Sequence, residues 1–335
     1  MIPLIGPDKI DGLKIWFDAS DLSTVNDGRV TNGSNVYKFV DKISGVVCRN
    51  NNGVNGPTYS FGGVNGKGAI CFGYYAPGDL SLRALTASGV TQFNTATRTN
   101  FWVYKPTGKT AQPAGSSNEQ YVVTVWDTTR ITGGIAAGGY ANIAMYIAED
   151  SETYALAIQK QNPSGRYVEG VPGTAPYTGY NTYTEDIPSR SLEGPNSLNK
   201  VSIGSARISP SQTKKIGWLK EGQDSFEDFT IPAYTASKYN NLSVYGRPLP
   251  PSPLSASASY WTPRGFRLEN TSVVVGTTAY ISIGAFWPVT SLSIPTGKYP
   301  MEGFFCEWLY FDRYLTDSET NTVREYLRRK WFPKK

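Results

Sequence analysis

Histidine is absent from this 335-residue chain, and cysteine and methionine occur only three times each. Without histidine, Ser-His-Asp and Cys-His catalysis and imidazole-ligated metals are excluded, and with them most hydrolase mechanisms. The three cysteines, Cys48, Cys71 and Cys306, show no paired spacing, so the sequence indicates neither a disulfide framework nor a zinc site. We expect them to be reduced, mostly buried thiols.

Long apolar runs are missing as well. No stretch approaches the ~18 apolar residues that a membrane span needs. The first eight residues lack the charged and apolar regions of a signal peptide. We therefore expect a protein that is made and folded in a cytoplasm and has no membrane partner.

Basic residues form no extended surface pattern. The formal charge is +5, from 32 basic and 27 acidic residues, with the excess near the C-terminus at Arg328, Arg329, Lys330, Lys334 and Lys335. A nucleic-acid-binding face interleaves basic and aromatic residues, which this short tail does not. The pattern predicts a solvated helix end and no nucleic-acid partner.

The residues that are abundant favour short strands. Glycine (34), proline (22) and tyrosine (22) are typical of chains with frequent turns. Apolar alternation predicts strands at 13–21, 36–40, 57–59, 64–72, 101–104, 121–126, 143–147, 154–158, 201–203 and 280–283. The sequence therefore predicts an all-β protein.

The segment 303–319 is the most informative part of the chain. Its alternation predicts an interior strand with Phe304, Cys306, Trp308 and Tyr310 on one face and Phe305, Glu307, Leu309 and Phe311 on the other. Thr316 and Glu319 have capping-box spacing, which predicts a helix over 317–331.

Four motifs, in this order, resemble one family. The chain opens with Leu13-Lys14-Ile15-Trp16-Phe17-Asp18-Ala19-Ser20-Asp21, continues with the turn Asp41-Lys42-Ile43-Ser44-Gly45 and the strand Asn65-Gly66-Lys67-Gly68-Ala69-Ile70-Cys71-Phe72, and closes with the segment from Gly303 to Trp331. Together they resemble the laminin-G-like, concanavalin-A-like lectin and glucanase superfamily. Ile43 departs from the family pattern by splitting the Lys-Ser pair of the turn.

The resemblance implies a two-sheet antiparallel jelly-roll sandwich with long loop insertions and a short C-terminal helix. The matched motifs cover roughly the first 75 and the last 35 residues. Because both ends belong to one sandwich, we expect residues 1–335 to form a single domain. Segments 105–119, 161–199 and 245–263 fit no strand pattern and are predicted to be insertions.

No catalytic residues are predicted. Glucanases of this superfamily carry Glu-x-Asp-x-x-Glu or Glu-x-Asp-x-Glu on one strand, which aims the carboxylates into one cleft, and this spacing does not occur here. Glu307 is the one carboxylate on the closing strand, and we expect it to accept hydrogen bonds from backbone near the opening strand. Trp16, Asp312 and Glu319 are likewise predicted to be structural. We predict that the chain is not an enzyme.

Candidate ligand-binding residues are few. Asp18, Asp21 and Asp41 are weak candidates for calcium, and no other cofactor is expected. Aromatic residues in predicted loops are candidates for glycan or protein contact: Tyr177, Tyr180, Tyr183, Tyr260 and Trp261.

Three functions are consistent with these observations. The resemblance favours a non-enzymatic structural component of a bacteriophage virion, as a capsid decoration, minor capsid or tail-associated protein. Its partners would be other virion proteins, and it would form a homo-oligomer on the particle. The alternative is a carbohydrate-binding adhesin that recognises a host surface glycan. A glycoside hydrolase is the third hypothesis, and it would need a carboxylate pair assembled from distant strands.

Overall fold

The chain folds mainly into β-strands. The computed structural model describes residues 6–50, 56–73, 84–93, 97–107, 120–127, 143–150, 153–159, 185–188, 199–208, 214–231, 265–268, 279–285 and 301–332. The strands are β1 (Leu13–Asp18), β2 (Lys38–Val40), β3 (Val47–Arg49), β4 (Thr58–Val64), β5 (Lys67–Phe72), β6 (Leu85–Val90), β7 (Arg98–Pro106), β8 (Gln120–Asp127), β9 (Ile143–Asp150), β10 (Thr153–Gln159), β11 (Glu185–Pro188), β12 (Ser202–Ile208), β13 (Lys214–Lys220), β14 (Glu227–Ile231), β15 (Gly265–Leu268), β16 (Ala279–Ile283) and β17 (Gly303–Phe311). One α-helix, α1, spans Asp317–Trp331, as predicted.

The strands form two sheets. The first sheet has the order β14-β13-β12-β7-β17-β5-β4, and the second has the order β11-β15-β10-β9-β8-β16-β6-β3-β2. All pairings are antiparallel except that of β10 with β15. β5 pairs with the first part of β17 and β1 with the rest, so the opening and closing strands lie side by side. The prediction of a two-sheet β-sandwich with a short C-terminal helix is confirmed.

The first sheet is buried on both faces. Its inner face packs against the second sheet, where Phe17 and Trp308 share a core with Val123 and Ile281. Its outer face packs under α1, where Leu309 joins a second apolar core that includes Val323, Leu327 and Trp331. Two apolar faces explain why β17 is almost wholly apolar.

A β-bulge in β17 makes the observed alternation of side chains differ from the predicted one. The register with β7 shifts between Phe305 and Glu307. Phe305 therefore lies in the inner core with Trp308, whereas Cys306 lies on the helix side. The Cys306 carbonyl accepts a hydrogen bond from Ala19 N at 2.9 Å. A bulge places two residues against one on the partner strand, and sequence alternation cannot show this.

Helix α1 has the predicted N-terminal cap. Glu319 N donates to Thr316 Oγ1 at 3.2 Å, and Thr316 N donates to Glu319 Oε2 at 2.9 Å. Arg313 contacts both oxygens of Glu319 and lowers the pKa of that carboxyl to about 2. Among the described residues, no helix has the length and apolarity to cross a membrane.

The predicted insertions have different outcomes. β7 runs to Pro106 and so includes the first two residues of the segment 105–119, and residues 108–119 lie outside the described residues. Glu185–Pro188, inside the segment 161–199, forms β11 and pairs with β15. Its sequence, Glu-Asp-Ile-Pro, carries no apolar alternation that would predict a strand. The segment 245–263 lies outside the described residues.

Candidate functional site

Two carboxylates face each other under α1. Asp18 on β1 pairs with Glu307 on β17, and Lys330 of the helix lies between their side chains. Lys330 Nζ is 2.7 Å from Asp18 Oδ1 and 2.9 Å from Glu307 Oε2. The two carboxylates are therefore about as close as the pair of a retaining glycosidase, which lies ~5–5.5 Å apart.

This pair has no room for a substrate. Glu307 is fully buried and accepts hydrogen bonds from Trp16 Nε1 at 2.7 Å and Trp331 Nε1 at 2.6 Å, in addition to Lys330. Burial raises the pKa of Glu307, and the Lys330 charge opposes that rise. The donors are two indoles, an ammonium group and the hydroxyl of Tyr326, where the sequence suggested backbone amides. Glu307 thus ties β1 and β17 to α1, which is a structural arrangement.

The calcium candidates Asp18 and Asp21 already have protein donors. Asp18 Oδ1 accepts hydrogen bonds from Ser20 N and Oγ, and Asp21 Oδ1 accepts them from Ser23 N and Oγ. The ammonium group of Lys42 lies 3.5 Å from Asp18 Oδ2 and 2.8 Å from Asp21 Oδ2. A lysine charge therefore occupies the position between these two carboxylates.

Asp41 and Asp312 are engaged in turns. Asp41 is buried and accepts hydrogen bonds from Trp16 N and from Ser44 N and Oγ, which accommodates the inserted Ile43. Asp312 N donates to Gly12 O at 2.9 Å, which joins the end of β17 to the start of β1. Within the described residues, no group of three or more acidic or cysteine side chains could hold a metal ion.

The structure does not describe the aromatic residues of the predicted loops. Tyr177, Tyr180, Tyr183, Tyr260 and Trp261 lie outside the described residues.

Four side chains with N–H donors on the inner face of the first sheet were not singled out by the sequence. Arg98, Asn100 and Trp102 alternate along β7 and point into the space between the sheets, as Trp102 does in the inner core. Trp218 lies on β13, two strands away from Trp102. We call these four residues the inner-face donor cluster.

Arg98 is a buried cation without a hydrogen-bond partner. Its side chain is 0% exposed, and its Nε, Nη1 and Nη2 atoms have no acceptor in the structure. Burial lowers the pKa of this guanidinium, with a smaller opposing effect from Tyr310. A buried charge that is neither paired nor hydrogen-bonded is costly, since even after relaxation the penalty is several kcal/mol.

The other members of the cluster also have N–H groups without acceptors. These are Asn100 Nδ2, Trp102 Nε1 and Trp218 Nε1. The amide orientation of Asn100 is fixed, because its Oδ1 accepts a hydrogen bond from Trp308 Nε1 at 3.2 Å. Its NH₂ group is therefore the part of the amide that lacks a hydrogen-bond partner.

The cluster extends along one face of β7 and across to β13. Residues at alternate positions of a strand are ~6.8 Å apart, so Arg98 and Trp102 are separated by about 14 Å along β7. Trp102 and Trp218 are both paired with Gly204 of β12, which places them about 10 Å apart with a glycine between them on the sheet. The cluster is thus a strip of N–H donors that ends in two indoles flanking a glycine.

Sequence patterns gave only a weak signal for this cluster. The segment 101–104 predicted a strand, but its extension to Arg98 and Asn100 placed polar residues on the same face as Trp102. A charged residue in phase with a core tryptophan is the signal that could have indicated the site.

Comparisons with known proteins identify no family. No protein-family model matches the sequence, and no curated protein matches it significantly. Among solved structures, the chain is similar to an α-L-arabinofuranosidase of family GH54, with 13% identity, a TM-score of 0.42, and coverage of 87% of this chain and 50% of that one. It is also similar to a Trypanosoma rangeli sialidase, with 13% identity, a TM-score of 0.38, and coverage of 96% and 33%.

These matches correct the function predicted from sequence. The structures are glycosidases, and none of those reported is a virion protein, so the predictions of a non-enzymatic phage component and of no enzymatic activity are wrong on this comparison. The chain spans about half the length of the arabinofuranosidase and a third of the sialidase. At this identity and TM-score the matches assign no activity and no site residue to this chain.

Proposed function

We propose that this chain is a carbohydrate-binding protein that holds a saccharide against the inner face of its first sheet. The observation that carries the proposal is the inner-face donor cluster, whose N–H groups are buried without acceptors. Each unsatisfied buried polar group costs about 1–3 kcal/mol. A ligand rich in oxygen acceptors would remove that cost when it binds.

Saccharides have the matching chemistry. Their hydroxyl and ring oxygens accept hydrogen bonds from amide, indole and guanidinium N–H groups. Their C–H faces pack on aromatic rings, and Trp102 and Trp218 supply two indoles beside Gly204. Binding sites for small molecules combine such an apolar lining with a few placed polar groups.

Entry of the ligand requires local opening of the sandwich. The four side chains of the cluster lie out of contact with solvent, between 0 and 1% exposed. Arg98 is the first residue of β7 and pairs with Ile208, the last residue of β12, so the cluster reaches the end of the sheet. Binding that waits for an opening is slow, and we expect an association rate constant below the usual ~10⁵–10⁷ M⁻¹s⁻¹.

The fold is compatible with this role. We propose that the two sheets form a concanavalin-A-like jelly roll. The ordered motifs at the two ends of the chain and the pairing of β1 with β17 support this finer assignment. Fold alone does not determine function, so the proposal depends on the donor cluster.

The experiment is a saccharide-binding screen with matched tryptophan variants. Trp102→Phe and Trp218→Phe each remove one indole N–H of the cluster and keep an aromatic ring. Trp16→Phe is the control, because Trp16 lies on the outer face of the same sheet and donates to Glu307. Circular dichroism and thermal unfolding would establish that each variant is folded.

We expect the chain to bind a saccharide on an array of neutral and acidic oligosaccharides. Trp102→Phe and Trp218→Phe should weaken that binding about 5- to 30-fold, and Trp16→Phe should leave it unchanged in the folded protein. Absence of binding to every saccharide, or an equal loss in all three variants, would overturn the proposal.

A further inference from the structure

We propose that the saccharide carries a carboxylate, which Arg98 binds. This inference rests on the proposed function and names the class of ligand at the same site. It starts from the state of the arginine itself, which is fully buried with three nitrogen atoms that have no acceptor.

Arg98 differs from the other buried arginines of the molecule. Three arginines are buried in the described part of the chain: Arg98, Arg207 and Arg324. Arg207 pairs with Asp317 at 2.6 Å and donates to Leu315 O at 3.1 Å. Arg324 forms two bonds with Asp228, at 3.0 and 2.6 Å, and donates to Ser205 Oγ. Arg98 has neither a carboxylate nor a carbonyl acceptor.

The buried acidic residues in the described part of the chain do not pair with Arg98. Within the described residues these are Asp18, Asp41 and Glu307. Asp18 and Glu307 share Lys330 on the outer face of the sheet, and Asp41 accepts hydrogen bonds in its own turn. Tyr310 is the one described group with an electrostatic effect on Arg98, and a neutral phenol does not balance the charge.

The missing partner must match a guanidinium. This group presents five N–H donors in a planar fork that fits a carboxylate through two parallel hydrogen bonds. The adjacent Asn100 NH₂ and the two indole N–H groups add donors for hydroxyls further along the strip. A sugar acid offers both features in one molecule, with a carboxylate at one end and hydroxyls along the ring.

The test compares one oligosaccharide with and without its charge. The probes are tri-galacturonic acid and its fully methyl-esterified form, which keep the same backbone and differ in the carboxylates. The same titrations would be made with glucuronic acid and its methyl ester as a second pair. Array screening of acidic and neutral saccharides covers ligands outside these two pairs.

The variants are Arg98→Met, Arg98→Lys and the control Arg207→Met. Both methionine variants remove a buried cation from the same sheet, but Arg207 faces α1. We expect acidic saccharides to bind the natural protein about 10- to 100-fold more tightly than their neutral forms. Arg98→Met should abolish that preference, Arg98→Lys should retain part of it, and Arg207→Met should retain it in full.

The outcomes separate this inference from the proposed function. If neutral and acidic forms bind equally and binding still depends on Trp102 and Trp218, the carboxylate inference fails and the carbohydrate site stands. If no saccharide binds, both fail. If the acidic preference survives in Arg98→Met, the carboxylate is bound elsewhere and the assignment to Arg98 is wrong.

Discussion

Replacing Arg98 by methionine should make the free protein more stable. Most substitutions of buried arginine destabilise a protein, because they remove ion pairs and hydrogen bonds. Arg98 has none to lose, since all three of its side-chain nitrogens lack acceptors. Methionine retains the unbranched apolar stem, so most of the packing in the inner core remains.

The expected gain follows from known charge replacements. Exchanging buried ionic groups for apolar residues of similar volume is neutral or stabilising by about 1–4 kcal/mol. The unpaired state of Arg98 places this variant toward the upper part of that range, because no attraction offsets the desolvation of the charge. In a chain of this size, each kcal/mol raises the unfolding midpoint by ~1–3 °C.

Arg207→Met provides the matched comparison. It deletes the pair with Asp317, which is 67% exposed and therefore contributes little, and leaves the Leu315 carbonyl without its donor. We expect a loss of about 1–3 kcal/mol, mostly from that carbonyl and from lost packing against Tyr314. The two variants thus change the free energy of unfolding in opposite directions.

Urea unfolding followed by tryptophan fluorescence would measure both values, with calorimetry as a second readout. A destabilisation of Arg98→Met equal to that of Arg207→Met would refute the reasoning, because it would mean that Arg98 has stabilising partners in the free protein. If an acidic saccharide is bound, Arg98→Met should become less stable than the natural protein, because it lacks the guanidinium that forms the charge-assisted bonds.

Three further predictions concern α1 and the strands that pack beneath it. Glu307→Gln should lower the free energy of unfolding by about 3 kcal/mol in urea titrations, because it breaks a buried charge pair. In the folded protein Arg313 holds the pKa of Glu319 at about 2, below its unfolded value near 4.3, so the stabilisation by this carboxylate is full above pH ~4.5 and is lost as the pH falls toward 2. The difference in free energy of unfolding between the natural protein and Glu319→Gln should therefore be smaller at pH 2.5 than at pH 5. Gly217→Ala should destabilise the protein measurably in thermal unfolding, because a Cβ there would overlap the guanidinium of Arg324.

Local patterns predicted the two ends of the chain well. Thr316 and Glu319 are only three residues apart and form the cap that their spacing indicates, and the apolar run of β17 required two buried faces. The bulge at Phe305 was not predictable, because it depends on how β7 and β1 pair with β17 across long sequence separations.

The candidate site was not predictable because its members are distant in sequence. Arg98 and Trp218 are brought to one face by the pairing of β7, β12 and β13, and no spacing along the chain encodes that pairing. The lack of a partner for Arg98 is likewise a property of the packed structure. Sequence reasoning instead named loop aromatics such as Tyr180 and Trp261, which lie outside the described residues.

The most direct test of the central proposal is to observe the indole N–H groups during saccharide titration. In a ¹⁵N-labelled sample, the resonances of Trp102 and Trp218 can be assigned from their phenylalanine variants, and those of Trp16 and Trp331 serve as internal controls. We expect a bound saccharide to shift the Trp102 and Trp218 signals, which gain acceptors, and to leave the Trp16 and Trp331 signals in place, because Glu307 already accepts their bonds. A saccharide that binds without moving either inner-face signal would contradict the proposed site.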